Sequence, residues 1–356
     1  MKVFHCDHCD HLVFFENTQC VACRHVLAFL PDLMDVGSLE RAGDRFTSPL
    51  PAAAGRGYRL CGNYGGNNIC NWAVVDTDPN PLCESCRLTT MIPDLTGPGR
   101  RHAWYRLELA KRRVIYTLKN LGLPLRPSNS SAPGLEFRFL ADDPAASGPV
   151  ITGHSQGTVT INIAEADDAE RERRRHSLGE PYRTLLGHLR HETGHYYWAL
   201  LVSGAGALER FRVLFGDERD NYTAALQRHY QNGPRVDWQN HHVSGYANAH
   251  PWEDWAETWA HYLHMTDSLE MAAACGVSVR PRRADEPSLP RVSASVGTPD
   301  SPFDRLVASW VTLTYVLNNL NRGMGLTDAY PFVLSPRAIE KLRFVHEVVA
   351  NAATRG

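Results

Sequence analysis

The sequence predicts an α+β protein: cysteine-rich modules at the front, followed by a mainly helical domain with a small sheet. Three observations carry this. Eight of the nine cysteines lie in the first 86 of 356 residues, six of them as C-x-x-C pairs. Two segments past residue 100 alternate apolar and polar side chains with period two, Leu135-Glu136-Phe137-Arg138-Phe139-Leu140 and Thr158-Val159-Thr160-Ile161-Asn162-Ile163, as half-buried strands do. The rest of that region carries apolar residues at helical spacing.

In chain order, residues 1–30 form a first cysteine module, 31–57 read as a linker because Gly37, Pro49, Pro51 and Ala52-Ala53-Ala54-Gly55 interrupt them, and 58–95 form a second module. Thr96-Gly97-Pro98-Gly99 marks a boundary, and 100–356 form the second domain. Within it a helix is expected over Arg101–Asn120, stopped by Gly122 and Pro124. The charged run Glu165–Arg175 reads as a solvated helix face. A helix starting near Pro181 ends by Ser203-Gly204. Amphipathic stretches follow at 206–215 and 220–230, then an Asn-, Gly- and His-rich loop at 231–249. Pro251 opens another helix to about Met265. Residues 280–302, rich in Pro, Ser and Arg, read as a long flexible loop, and two helices close the chain near 303–320 and 336–351.

Composition narrows the function. Hydrophobic residues at 43% allow a sizeable core, and a net charge of −2 gives no global field for nucleic acid or an anionic membrane. No run of 18 apolar residues occurs. Met1-Lys2-Val3-Phe4-His5-Cys6 lacks the apolar stretch of a secretory signal. A reducing, cytoplasmic setting is therefore expected, where clustered cysteines act as metal ligands rather than disulfides.

Cys6-x-x-Cys9 and Cys20-x-x-Cys23, ten residues apart, are two knuckles of one four-thiolate zinc site. Cys61, Cys70, Cys83 and Cys86 form a second set, with Gly62-Asn63-Tyr64-Gly65-Gly66-Asn67-Asn68 supplying tight turns. Modules of this size need metal to fold. Their few basic residues (Lys2, Arg24, Arg56, Arg59 and Arg87) do not favour nucleic acid, so a protein-docking or self-regulatory role is expected. His5, His8 and His11 are not needed as ligands, and Cys275 reads as a small helix-packing residue.

The chemistry is expected in His191-Glu192-Thr193-Gly194-His195. On a helix, residues four apart share a face, so His191 and His195 can bind one zinc while Glu192 serves as general base. His188, one turn earlier, reads as a packing residue or one that orients a ligand. A catalytic zinc needs a third protein ligand and an open position. Position 201 is Leu, so the three-histidine arrangement is absent. The candidate helix starts at Pro251-Trp252-Glu253-Asp254-Trp255-Ala256-Glu257. There Glu253 and Glu257 share a face, and one can bind metal while the other orients a ligand histidine.

H-E-x-G-H followed by E-D-W-A-E resembles the gluzincin metallopeptidases, particularly the catalytic domain of anthrax lethal factor. Nearly the whole chain resembles a bacterial family of zinc-binding metallopeptidases with an N-terminal zinc ribbon. The matching segments are 160–167, 180–188, 191–198 and 253–261. The resemblance implies a zincin-like catalytic domain over 100–356. It implies Glu253 as third ligand, Glu257 behind it, and Tyr246, seven residues before Glu253, as an oxyanion donor. One catalytic and two structural zinc ions would serve a peptide or protein substrate. The strand at 158–163 could pair with that substrate. Two other readings stand beside this one: a ribbon-based binding or regulatory protein with a weakly active zincin domain, and a zinc hydrolase acting on a non-peptide amide.

Overall fold

The computed structural model describes residues 1–126, 134–143, 148–178, 184–204, 206–279 and 298–354. Strands β1 (Phe4–His5) and β2 (Leu12–Val13) form a small antiparallel ladder around the first cysteine knuckle. Strands β3 (Val26–Leu30), β4 (Asp35–Ala42), β5 (Arg45–Thr47), β6 (Tyr58–Leu60) and β7 (Ala73–Val75) then form an antiparallel meander in that order. A short helix α1 (Gly62–Gly65) lies between β6 and β7.

The segment 31–57, expected as a linker, therefore carries two strands of this sheet, β4 and β5. Gly37 lies inside β4, where a Cβ would sit 2.8 Å from Leu30 Cδ1 and 2.8 Å from Ser48 Oγ and would push those side-chain ends aside. Strand β3 from the first cysteine module and strands β6 and β7 from the second belong to one sheet.

Strand β8 (Thr89–Met91) follows the last cysteine and joins a different sheet. It pairs in parallel with β9 (Glu136–Leu140). Next come β10 (Gly153–Ser155) and β11 (Thr158–Asn162), giving the order β10-β11-β9-β8. The β10–β11 hairpin turns through Gln156 and Gly157, both at positive φ, the conformation of a type I′ turn. Strand β11 is paired on both sides, to β10 and to β9. The expectation that it offers an edge to a peptide is thus corrected: the edge on that side is β10.

Helix α2 (Arg100–Asn120) runs from the Gly97-Pro98-Gly99 boundary. It stops where Gly122, at φ +68, lets Leu123 N donate to Leu118 O at 3.0 Å and Gly122 N to Lys119 O at 2.9 Å, a glycine-terminated helix end. Its Tyr116 packs among Phe4, Phe15 and Phe29 at ring separations of 6.4, 5.6 and 5.9 Å. The cysteine region and the helical region thus share one core.

The charged run continues as α3 (Asp168–Leu178), and the motif helix is α4 (Leu185–Leu201). Pro181, the expected start of that helix, lies outside the described residues; the helix begins after Thr184, whose hydroxyl accepts from Gly187 N at 2.9 Å. Then come α5 (Leu208–Phe215), α6 (Tyr222–Asn232) and α7 (Pro251–Ala274), the last reaching nine residues beyond its expected end. Cys275 caps α7 and is exposed, so it is not the buried packing residue expected. Most of the 280–302 loop, 280–297, lies outside the described residues. Helices α8 (Phe303–Gly323) and α9 (Pro336–Ala353) finish the chain. No described helix is long and apolar enough to cross a membrane.

Candidate metal centre

Helices α4 and α7 build the centre by packing against each other. Gly194 sits at their contact: a Cβ there would meet Ala256 Cα at 3.0 Å and Trp259 Cδ1 at 3.1 Å. The indole N–H of Trp255 donates to Gly194 O at 2.8 Å. The glycine inside the motif is what lets α7 approach the two histidines. Helix α7 is aimed by its first turn, with Pro251 at the favoured first position. His250 Nδ1 accepts from Trp252 N at 3.1 Å, which leaves its Nε2–H to donate to Asp220 O at 3.1 Å. Behind it, Lys341 of α9 donates to Asp254 at 2.5 Å in a fully buried ion pair.

This packing brings together His191, His195, Glu192, Glu253 and Glu257. His191 Nε2 lies 3.0 Å from Glu253 Oε2, and His195 Nε2 lies 3.7 Å from Glu253 Oε1. One donor atom from each of His191, His195 and Glu253 falls within 4.8 Å of the others. Two ligand atoms of a single tetrahedral zinc stand about 3.4 Å apart, so the three groups fit that ion. The two rings cross at 79° with centroids 5.1 Å apart.

The other nitrogen of His191, Nδ1, donates to Glu257 Oε1 at 2.7 Å, while Ser244 Oγ donates to Glu257 Oε2 at 2.6 Å. Glu257 therefore fixes the ring and leaves Nε2 turned to the centre. Tyr222 OH donates to Glu253 Oε1 at 2.7 Å. The Tyr246 ring lies 5.9 Å from that of His191 and 5.7 Å from that of His229.

Electrostatics follow from burial opposed by partners. Burial pushes the Glu253 carboxyl up, but His195, His191 and Tyr222 outweigh it and hold it well below the usual carboxylate range. Burial pushes His191 down, yet Glu253 and Glu257 raise it well above the ordinary histidine value. His195 is lowered by burial, with the charge of His191 adding to it. This is a dense patch of negative charge gathered around imidazoles, the setting a dication completes.

Glu192 is buried. Its Oε1 is 3.1 Å from His188 Nε2, whereas its Oε2 is buried with no hydrogen-bond partner among the described residues. His188 Nδ1 lies 2.6 Å from Glu165 Oε2, and Thr152 Oγ1 donates to Glu165 Oε1 at 2.7 Å. Beyond His195 lies His154 of β10, its ring 5.8 Å away and its Nε2 accepting from Gly157 N at 2.9 Å. Burial holds His154 down at about 4, so it is a neutral ring with its proton on Nδ1.

Sequence reasoning did not single out Tyr222, Ser244, Glu165, Thr152 or His154. Ser244 and Glu165 fell inside motif-bearing segments, which is a usable signal. Tyr222 sat in an ordinary amphipathic stretch and carried none.

The cysteines form two clusters of four, all with free thiols. Cys6 and Cys23 sulfurs are 3.6 Å apart, Cys9 and Cys20 3.7 Å, and Cys70 and Cys83 3.7 Å. A disulfide would need about 2.05 Å, whereas four thiolates on one zinc stand about 3.8 Å apart. Backbone N–H groups already point at the sulfurs: Cys83 N to Cys61 at 3.3 Å, Trp72 N to Cys70 at 3.3 Å. The second cluster is wholly buried, and so is Arg112 of α2, whose Nε and Nη1 find no hydrogen-bond partner among the described residues. Burial alone would lower that guanidinium; Cys70, Glu108, Cys86 and Cys83 raise it.

His8, His25 and Glu40 also bring donor atoms together near the surface. There the two imidazoles stack face to face at 3.7 Å and 27°, so no ion can lie in both ring planes without rotating them.

Residues 100–348 match a family model described as "Putative zinc-binding metallo-peptidase". Residues 3–97 match a zinc-ribbon domain model that spans both cysteine clusters. Uncharacterized proteins of Mycobacterium bovis and of Mycobacterium tuberculosis are each 41% identical over 355 residues, covering 99% of this chain and 96% of theirs. No solved structure matches the chain.

Proposed function

The chain belongs to the family of zinc-binding metallopeptidases carrying an N-terminal zinc ribbon, and from that premise we propose that it hydrolyses peptide bonds at the α4–α7 centre by a gluzincin-type mechanism. His191, His195 and Glu253 would hold the catalytic zinc, and Glu257 would orient His191. Two further zinc ions would sit in the cysteine clusters, three per chain. The observation that carries the reading is the convergence of those three donor groups next in chain to buried Glu192, whose Oε2 has no hydrogen-bond partner among the described residues.

When bound, zinc supplies Lewis-acid polarisation of the scissile carbonyl and a water acidified toward neutral pH. Glu192 Oε2 takes the water's proton and then delivers it to the leaving amine. Tyr246, packed against His191, donates to the carbonyl oxygen as charge develops there. An extended peptide adds to the exposed edge of β10, where backbone hydrogen bonds hold it beside His195. The zinc ribbons offer a docking face for a protein partner, and cysteines held as metal ligands without disulfides suit a reducing, cytoplasmic setting.

The test is Glu192→Gln. The variant keeps its full zinc content and loses hydrolysis of a peptide library by at least about 100-fold, the usual scale of a general base. A variant that retains zinc and cleaves as fast as the wild type sinks the proposal. Cleavage confined to non-peptide amides in that library screen would move the activity to another hydrolase class.

A further inference from the structure

We propose that Glu165 and His188 form a buried clamp that fixes the Glu192 carboxylate for catalysis and keeps it from becoming a metal ligand itself. The inference rests on the peptidase reading for the role of Glu192, but the geometry stands apart from it. The clamp is anchored in the sheet. Glu165 belongs to the turn Ile163–Ala166 that ends β11, and Thr152 precedes β10. The Thr152 hydroxyl, itself accepting from Asn162 N at 3.0 Å, donates to one Glu165 oxygen at 2.7 Å. The other Glu165 oxygen faces His188 Nδ1 at 2.6 Å, and His188 Nε2 faces Glu192 Oε1 at 3.1 Å.

Each imidazole nitrogen thus looks at a carboxylate oxygen. Both contacts are attractive only if both nitrogens carry hydrogen, so His188 is an imidazolium between two anions. Burial opposes that charge, yet Glu165 and Glu192 raise His188 to about 9. The side chains are 1%, 14% and 7% exposed for Glu165, His188 and Glu192. Solvent therefore screens the contacts little.

The consequence is a division of labour within one carboxylate. Oε1 is occupied by the clamp. Oε2 is left buried with no hydrogen-bond partner among the described residues, turned over to the reacting water. Such a restraint is needed because Glu192 is the chain neighbour of a proposed ligand, and a free carboxylate beside a dication is an oxygen ligand in its own right. His188 is a positioning residue: no proton passes through it, and Glu192 alone accepts and returns the proton.

The experiment uses the full chain with its chelatable metal replaced by Co2+, whose visible absorption reports coordination number. His188→Ala, His188→Gln and Glu165→Gln are compared with the wild type for metal content, cobalt spectrum and cleavage of a quenched peptide library. All should retain the chelatable ion. His188→Ala should lower kcat by about 10–100-fold with KM nearly unchanged, the scale seen for groups that orient a metal site, and should change the cobalt spectrum. His188→Gln, whose amide N–H can still donate to Oε1, should recover much of both. The spectral change should vanish when Glu192→Ala is combined with His188→Ala.

A His188→Ala spectrum identical to wild type, or a change that persists without Glu192, overturns the clamp. So does loss of the chelatable ion in all three variants. A wild type that cleaves no peptide would instead overturn the peptidase reading, and the cobalt measurements would still decide the clamp.

Discussion

The cysteine clusters and the α4–α7 centre use different ligands to different ends. Each cluster offers four sulfurs at zinc-thiolate spacing, which leaves no position for a reactant. The α4–α7 centre offers three donors and a carboxylate oxygen with no hydrogen-bond partner among the described residues. The two clusters also differ from each other. In the first, Cys9 is exposed on a surface knuckle; in the second, all four cysteines are buried under α2. Embedding, more than ligand type, decides what each metal does for the fold. The second cluster is buried against α2, the first joins the same core through Cys6 and Cys20 while exposing Cys9, and the α4–α7 centre is framed by the packing of its two helices.

The contrast breaks most visibly at the buried cluster. Cys83→Ser leaves three thiolates in a buried site that also faces the buried Arg112, and should cost more than about 4 kcal/mol, seen as loss of the cooperative urea transition or of soluble protein. Cys9→Ser, at the exposed ligand of the first cluster, should cost less than half as much in the same measurement. Equal losses would mean that the two clusters are structurally equivalent.

The next largest effect sharpens the claim that packing holds the open centre. Gly194→Ala places a methyl 3.0 Å from Ala256 Cα and 3.1 Å from the Trp259 ring. Prying α4 from α7 should cost about 1–3 kcal/mol and weaken the chelatable metal, while the thiolate-bound metals stay. Unchanged urea midpoint and metal affinity would show that the contact has slack.

Glu257→Gln tests whether Glu257 acts through His191. It should lower affinity for the chelatable ion about 10–100-fold, read by competition with a chelating dye, with little change in the urea midpoint. Complete loss of the ion would place Glu257 among the ligands.

The smallest effect concerns pH. His188 is raised from its ordinary value to about 9. Its stabilisation is therefore full below about pH 6.5 and lost as pH rises through 9. In chelator-treated protein, where the raised His191 adds a slope of the same sign, the wild type should lose on the order of 1 kcal/mol more than His188→Gln between pH 7 and 8. A wild-type midpoint that does not move over this range would contradict the charged state of His188.

Much of this was legible in the sequence. The period of four between His191 and His195 places both on one helix face because helical geometry is local. The C-x-x-C spacing forces knuckles for the same reason. The spacing of Glu253 and Glu257 marked them as a pair. Composition misled at 31–57, where Gly and Pro read as a linker: Gly37 lies inside β4 and Gly43 turns the chain into β5 at positive φ, and no local pattern separates such uses from a linker.

Local periodicity and ligand spacing, then, determined the α+β class, the cysteine clusters and the histidine helix, since each depends on residues within a few turns of one another. Only the tertiary structure decided which carboxylate meets which nitrogen. Glu253 faces the Nε2 atoms of both histidines and Glu257 the Nδ1 of His191, because the absence of a side chain at Gly194 sets how α4 and α7 meet. Glu165, Thr152 and Tyr222 reach the site across 23 to 40 residues of chain from His188, Glu192 and Glu253, and such contacts are fixed by packing rather than by any pattern along the sequence.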